Sequence, residues 1–220
     1  KLFDLSKLGE QQTIQPIKEY SNFRIFKEYK LGHLYALGCD VAEGIGKDSS
    51  TIILWDFTPA KPEVVAEYAN NQIAPDMFAF EIKNLADKYE RPIVAVERNN
   101  HGHTTLSKLK EIYPERKIYI DEKDRFGWDT NLVSKPKMLF ELNTAINEDL
   151  ININSSRLLS EMRRYDKEDL RILKGDEETQ HYDLLMGSAV GFQMKTEANE
   201  ANSPGVKISK PSWKSFNRRA

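Results

Sequence analysis

Residues 34–48 read Leu34-Tyr-Ala-Leu-Gly-Cys-Asp40-Val41-Ala-Glu-Gly44-Ile-Gly46-Lys-Asp48, and this stretch predicts the core of the fold. An apolar run from Leu34 to Val41, interrupted only by Asp40, ends in a glycine-rich turn, which is typical of a buried strand. Burying an unpaired carboxylate costs on the order of several kcal/mol, so Asp40 needs a partner. The pattern favours a metal ion or a catalytic role. A backbone amide or a lysine is the alternative partner.

The overall composition excludes several classes of protein. The 220-residue chain is long enough for one large domain or two small ones. Its 32 Lys and Arg residues nearly balance 34 Asp and Glu residues, so the net charge of -2 neither favours nor excludes a nucleic-acid partner. The single Cys39 excludes a disulfide framework and a cysteine-based zinc site, and it is typical of a reducing compartment.

The sequence shows no targeting signal. No apolar run is long enough to span a bilayer, and no signal peptide opens the sequence. Because the first residue is Lys1 rather than Met, we expect the chain to be a piece of a longer protein.

The residue pattern predicts strands first and alternating strands and helices afterwards. A half-exposed strand is expected at residues 22–29, and three strands joined by short turns, as in an antiparallel meander, are expected at residues 34–41, 50–57 and 63–69. Helices are then expected at residues 75–89, 103–112, 135–150, 155–165 and 182–194. Further strands are expected at 92–96, 117–120 and 169–174, and an acidic turn at 175–180. Such alternation indicates a largely parallel sheet beyond the meander, with helices on its faces.

The same pattern divides the chain into three parts. Residues 1–21 are polar and weakly patterned, and we expect a linker or a peripheral arm. Residues 22–195 form the α/β domain. Residues 196–220 lose the apolar pattern and become basic, which favours a flexible tail. Since Trp213 and Phe216 lie among the basic residues, a tail that binds DNA or a protein partner is the alternative.

Three carboxylates occupy positions where predicted elements begin or end. Asp40 closes the first core strand, Glu97 closes strand 92–96, and Asp183 opens the last helix. The carboxyl ends of strands in an open α/β sheet face one crevice, so Asp40 and Glu97 can meet there. Oxygen ligands without clustered Cys or His favour Mg²⁺ or Mn²⁺. Structural alternatives remain, because Asp183 could cap its helix and Glu97 could pair with Arg98.

Four motifs follow one another through most of the chain. They are Gly38-Cys-Asp40-Val-Ala-Glu-Gly44 with Asp48, Val96-Glu97-Arg-Asn99-Asn-His-Gly102, Gly127-Trp128-Asp-Thr130 followed by Lys135-Pro136, and His181-Tyr182-Asp183. In this order they resemble the nuclease domain of the large terminase subunit of tailed bacteriophages, the DNA-packaging motor. The resemblance implies an RNase H-like fold for residues 22–195, with an antiparallel three-strand meander, parallel strands and helices on both faces.

The resemblance also implies an activity and a set of site residues. The activity is two-metal cleavage of double-stranded DNA during viral genome packaging. By family role, Asp40, Glu97 and Asp183 hold two Mg²⁺ or Mn²⁺ ions, and Asp48 supports them directly or through water. Lys135 lies near the active site and can meet the scissile phosphate. We expect its side chain to be exposed, because it precedes a proline at a helix start.

One position departs from the family pattern. Many members carry two adjacent Asp residues after the histidine, and here the first is Tyr182. Adjacent helical residues point about 100° apart, so Tyr182 and Asp183 cannot address one site equally. Asp183 shares a face with Gly187, whose small size lets the helix approach the sheet and aims Asp183 towards the other acids.

The implied partners are double-stranded DNA, the ATPase domain of the same full-length protein, the portal and the small terminase subunit, with no membrane. The implied location is the host cell cytoplasm, transiently at the viral procapsid portal. Two other functions stay open: an actin-like or sugar-kinase-type ATPase fragment, and a non-catalytic docking module with the same fold. A phosphate loop at residues 44–49 is excluded, because Lys47 is followed by Asp48 rather than Ser or Thr. We therefore expect no ATP hydrolysis by this chain alone.

Overall fold

The structure is a computed structural model, and it describes residues 1–171 and 181–201. The acidic turn predicted at residues 175–180 and most of the tail predicted at residues 196–220 lie outside the described residues. None of the described helices is both long and apolar enough to cross a membrane.

A six-stranded mixed sheet runs through the described part of the chain. In chain order its strands are β1 (Lys18–Tyr20), β2 (Phe23–Ile25), β3 (Tyr35–Asp40), β4 (Ser50–Asp56), β5 (Glu63–Asn70) and β6 (Ile93–Val96). Across the sheet the order is β1-β2-β5-β4-β3-β6, in which β3, β4 and β5 form the predicted antiparallel meander. Strand β6 pairs with β3 in parallel, and the crossover between them contains a helix, as parallel pairs require.

Helices cover both faces of this sheet. They are α1 (Leu5–Glu10), α2 (Pro75–Asp87), α3 (Gly102–Ile112), α4 (Ser134–Asn147), α5 (Ser156–Arg164), α6 (Asp183–Phe192) and α7 (Lys195–Ala201). Helices α2 and α3 contribute to the hydrophobic core on one face, and α1, α4, α5 and α6 to the core on the other. Strands β3 and β4 are buried along their whole length, which explains why the sequence shows them as apolar runs.

Alternation along each strand decides which core a side chain joins. Leu37 of β3 packs in the core under α2 and α3, whereas Ala36 packs in the core under α6. Asp40 is four residues beyond Ala36 and therefore lies on the α6 face. Ala95 of β6 packs in the same core, so Glu97 lies on this face as well.

Helix α6 lies directly on β3 because both carry glycines at the contact. A Cβ added to Gly38 would lie 2.1 Å from the Gly191 nitrogen and 2.2 Å from the Gly187 oxygen. A Cβ on Gly187 would lie 2.9 Å from the Thr51 hydroxyl and 3.7 Å from the Asp40 nitrogen. The expectation that Gly187 lets this helix approach the sheet closely is confirmed.

Residues 1–21, predicted as a linker or peripheral arm, are packed onto the domain in the structure. Leu2, Phe3 and Leu8 are buried in the same core as α4 and α5. Asp4 caps α1 by accepting hydrogen bonds from the backbone N–H groups of the second and third residues that follow it. Helix α1 has six residues, so its apolar pattern is too short to be recognised in the sequence.

Two predicted strands overlap with short 3₁₀ helices and do not join the sheet as named strands. Of the strand expected at residues 117–120, Lys117 ends the 3₁₀ helix Glu115–Lys117, and Ile118 and Ile120 form isolated bridges. Glu168–Arg171 is helical where a strand was expected at residues 169–174, of which 172–174 lie outside the described residues. The predicted tail also begins differently, because its first residues continue α7, where Ala198 is buried. In these short segments, tertiary contacts override local alternation.

Candidate active site

The site begins where β3 and β6 end side by side. Asp40 is the last residue of β3, and Glu97 follows directly after β6. The Glu97 N–H donates to the Cys39 carbonyl at 2.8 Å, which continues the parallel pairing beyond β6. The exposed fractions are 1% for Asp40 and 5% for Glu97. Two buried carboxylates therefore lie on adjacent strand ends and on the same face of the sheet.

Asp183 is held against the same end of β3 by the neighbouring strand. It is the first residue of α6, and its carboxylate accepts from the Ser49 N–H at 2.7 Å. Its carbonyl accepts from the Thr51 hydroxyl at 2.7 Å, and Thr51 is paired with Asp40 across the sheet. These two bonds place the start of α6 beside the turn that joins β3 to β4.

Capping of α6 involves a different acid. The N-cap residue is Tyr182, which makes no side-chain capping bond. The Leu185 N–H in the first turn donates instead to Glu161 of α5 at 2.9 Å. Burial, with repulsion from Asp183 as a smaller cause, raises the pKa of Glu161 to about 8. The sequence did not single out Glu161, because only the packing of α5 on α6 brings it here.

One group of side chains has the geometry of a cation site. Ligand atoms of Asp48, His181 and Asp183 all lie within 4.8 Å of one another. His181 Nδ1 contacts Asp48 Oδ1 directly. Within residues 1–171 and 181–201, no other group of three His, Cys, Asp or Glu side chains meets this criterion. Two carboxylates and one imidazole form a donor set that suits Mn²⁺, and the oxygens suit Mg²⁺.

His181 was not singled out as a candidate ligand in the sequence, although it lies two residues before Asp183 in one of the motifs. Its partner Asp48 was predicted as a supporting residue. Asp40 and Glu97, predicted as ligands together with Asp183, are not members of this compact group. Asp40 and Glu97 lie at the same end of the sheet as this group, at the ends of β3 and β6.

Lys135 is buried, so the expectation that its side chain is exposed is wrong. Its exposed fraction is 9%, and its ammonium group donates to the Asp169 carbonyl at 2.9 Å. Desolvation lowers the pKa of Lys135, while the charges of Asp169, Glu97 and Asp40 act in the opposite direction. Lys135 is therefore within electrostatic reach of both buried strand-end acids. The local pattern did not show this, because the 3₁₀ helix at Glu168–Arg171 covers it.

Tyr182 belongs to the core rather than to the group of acids. Its ring packs edge-on against Tyr165, with the centroids 4.7 Å apart. Its hydroxyl donates to the Arg164 carbonyl at 3.3 Å. Only 8% of Tyr182 is exposed. The residue that departs from the family pattern is thus used for packing between α5 and α6.

The glycine-rich turn after β3 is hydrogen-bonded to the segment that follows β5. Gly46 donates its N–H to the Asn71 carbonyl at 2.8 Å, and the Asn71 side-chain amide donates back to the Gly46 carbonyl at 3.1 Å. Gly44 has φ +83°, and a Cβ there would lie 2.3 Å from the Ile73 oxygen. The N–H of Gly46 therefore already has a protein acceptor.

Comparison with solved structures identifies the fold. The large terminase nuclease of the thermophilic phage G20c is 15% identical, and the match covers 87% of this chain and 97% of that chain at a TM-score of 0.65. The P22 large terminase nuclease domain is 14% identical, with 92% of this chain and 97% of that chain covered at a TM-score of 0.56. This chain has the large terminase nuclease fold.

The terminase nuclease fold confirms the predicted RNase H-like α/β class and, at the level of the fold, the resemblance seen in the motifs. The G20c nuclease has also been solved with bound magnesium, zinc and cobalt. A large terminase from another thermophilic bacteriophage is 14% identical at a TM-score of 0.51, and the match covers 86% of this chain but 43% of that chain. No protein-family model and no curated protein matches the sequence.

Proposed function

We propose that this chain is a metal-dependent endonuclease that cuts double-stranded DNA during viral genome packaging. The observation that carries the proposal is the grouping of Asp48, His181 and Asp183 beside the adjacent strand ends that carry Asp40 and Glu97. The terminase nuclease fold and the metal ions bound by the G20c nuclease support it. An ATPase fragment is less well supported, since the N–H of Gly46 in the glycine-rich turn already donates to the Asn71 carbonyl.

The proposed activity uses two Mg²⁺ or Mn²⁺ ions. We propose that Asp40, Glu97, Asp183 and Asp48 hold them, and that His181 adds a nitrogen ligand. When bound, the two ions would activate the attacking water and stabilise the leaving oxygen of the phosphodiester. This donor set consists of oxygen and nitrogen atoms, so it suits Mg²⁺ or Mn²⁺ and contains no thiolate that would favour a softer metal.

Three neighbouring residues orient these acids or balance their negative charge. The Ser49 N–H fixes one oxygen of Asp183, and Thr51 fixes its carbonyl. Lys135 supplies a positive charge near Asp40 and Glu97, and burial strengthens its attraction to a phosphate. The role we propose for Lys135 is to stabilise the charge of the scissile phosphate during cleavage.

The proposed partners follow from the same family. They are double-stranded DNA, the ATPase domain of the full-length protein, the portal and the small terminase subunit. The large terminase that this chain matches over less than half its length extends well beyond the matched region, which supports a larger protein as the context. The proposed location is the host cell cytoplasm, transiently at the procapsid portal.

Plasmid cleavage with Mn²⁺, Mg²⁺ or EDTA tests the proposal. We expect nicking and linearisation with either ion and none with EDTA. Asp40→Asn and Asp183→Asn should abolish cleavage, whereas Asp149→Asn should cleave like wild type. Asp149 is a suitable control because it pairs with Lys61 on the surface, at the opposite end of the sheet. Wild-type rates in folded Asp40→Asn and Asp183→Asn would refute the assignment.

A further inference from the structure

Asn99 joins three pieces of backbone and side chain next to the candidate site. Its side-chain amide donates to the Val41 carbonyl at 2.8 Å and to Glu97 Oε2 at 3.3 Å. Its side-chain oxygen accepts from the Gly102 N–H at 2.7 Å. Val41 directly follows Asp40, so a single amide group spans the two strand ends that carry the buried acids.

This bridge lies where the sheet itself no longer holds the strands together. The ladder between β3 and β6 ends at the pair of Cys39 and Val96, and one further bond joins Glu97 to Cys39. Beyond that point, one strand enters the glycine-rich turn and the other turns towards α3. The Asn99 amide therefore replaces the missing ladder bonds at the point where Asp40 and Glu97 must keep a fixed separation.

The start of α3 fixes the position of Asn99 in turn. A Cβ on Gly102 would lie 1.9 Å from the backbone carbonyl oxygen of Glu97 and 3.2 Å from Asn99 Oδ1. Only glycine allows this approach, so the helix begins directly against the segment that carries both residues. The Gly102 N–H holds the Asn99 oxygen, which leaves the amide N–H groups directed at Val41 and Glu97.

We infer that Asn99 is a positioning residue that orients the Glu97 carboxylate relative to Asp40 for metal binding. This inference rests on the proposed function. The chemistry of an amide suits the role, because it donates a hydrogen bond to the carboxylate without neutralising it. A lysine or arginine in the same place would compete with the cation for the charge of Glu97. Partners that hold metal ligands in this way typically contribute about 10–100-fold to metal affinity.

Asn99→Ser separates this role from helix capping. A serine hydroxyl can still accept from the Gly102 N–H, as serine does at many helix starts, but it lacks the two amide N–H donors. Asn100→Ser is the matched control, because Asn100 is the neighbouring residue and is exposed. We expect Asn99→Ser to weaken Mn²⁺ binding by about 10–100-fold in calorimetry. The Mn²⁺ concentration needed for half-maximal plasmid cleavage should rise to match, and Asn100→Ser should change neither value.

The outcomes separate the inference from the proposed function. Wild-type protein that neither binds Mn²⁺ nor cuts DNA refutes both. Wild-type protein that does both, with Asn99→Ser unchanged in Mn²⁺ affinity, refutes the inference alone. Should Asn99→Ser fail to fold by circular dichroism, Asn99→Thr gives the same comparison, because its hydroxyl can accept from the Gly102 N–H while the amide N–H donors are lost and no charge is added. Mn²⁺ affinity equal to wild type in a folded Asn99→Thr would then count against the inference.

Discussion

The ammonium group of Lys135 is buried in the candidate site. A buried ammonium group is stabilised only when hydrogen-bond acceptors and opposite charges surround it. Here the Asp169 carbonyl supplies the acceptor, and Asp40 and Glu97 supply the charges. The face of the Tyr165 ring lies 5.8 Å away and adds a weaker attraction. These contacts hold the ammonium group at one position, as the proposed contact with the scissile phosphate requires.

We expect Lys135→Met to lower cleavage far more than stability. Methionine retains most of the buried stem, so packing is preserved while the charge is lost. Single-turnover cleavage at saturating Mn²⁺ should fall by roughly 100-fold, the scale seen when one group that stabilises transition-state charge is removed. Lys137→Met is the control, because Lys137 is exposed on the same helix. Unchanged cleavage by a folded Lys135→Met would exclude a role for this charge.

The contact between α5 and α6 combines a capping acid with a tightly packed helix end. Glu161 of α5 accepts from the first turn of α6, and Tyr165, directly after α5, packs against Tyr182. The glycines of α6 bring the same helix onto β3. Asp183 is therefore positioned from two sides, by a helix on one and by the sheet on the other.

The titration of Glu161 should make stability depend on pH. Its pKa is raised from 4.5 to about 8 in the folded protein, so the folded state keeps a proton that the unfolded chain has released. The free energy of unfolding should therefore fall as pH rises through this window. Glu161→Gln removes this titration. The free energy of unfolding of the variant, compared with that of wild type at the same pH, should therefore increase as the pH rises. Urea unfolding in metal-free buffer, carried out near the ordinary pKa of 4.5 and near the raised pKa of about 8, measures the effect.

Glu111→Gln is the control for this experiment, because Glu111 is exposed and pairs with Lys108 on the surface. It should follow the wild-type pH dependence throughout. An identical pH dependence for Glu161→Gln and wild type would show that Glu161 titrates normally in the folded protein.

Across the domain, the acids of the site converge from segments far apart in the chain. Repulsion among these acids opposes folding when no cation is bound. A bound divalent ion removes that repulsion and binds only the folded arrangement, so it should stabilise the protein.

We expect Mn²⁺ to raise the melting temperature and EDTA to reverse the rise. At an ion concentration of about 100 times Kd, the gain for one site is about 2.7 kcal/mol. Asp183→Asn should show a much smaller rise, and Asp149→Asn should respond like wild type. Differential scanning calorimetry with and without ions measures the shift. An equal rise in wild type and Asp183→Asn would place the bound ion elsewhere.

Much of the fold could be predicted from local patterns in the sequence. The runs that become β3, β4 and β5 are long, apolar and bounded by turns, so their type and order are evident. Asp40 and Glu97 could be placed together because the carboxyl ends of parallel neighbours meet at one edge. The close approach of α6 could be predicted from Gly187, since a missing side chain lets two backbones come nearer.

Contacts between distant segments decided the rest. Lys135 is buried by a 3₁₀ helix much later in the chain, where the sequence had indicated a strand. His181 meets Asp48, and Glu161 meets the start of α6, only after the helices pack on the sheet. Periodicity determines which face of an element is apolar, but not which polar groups another element brings to its end. The central strands β3 to β6 and the acids at the ends of β3 and β6 could therefore be predicted from the sequence alone, whereas the tertiary structure decided the partners of those acids.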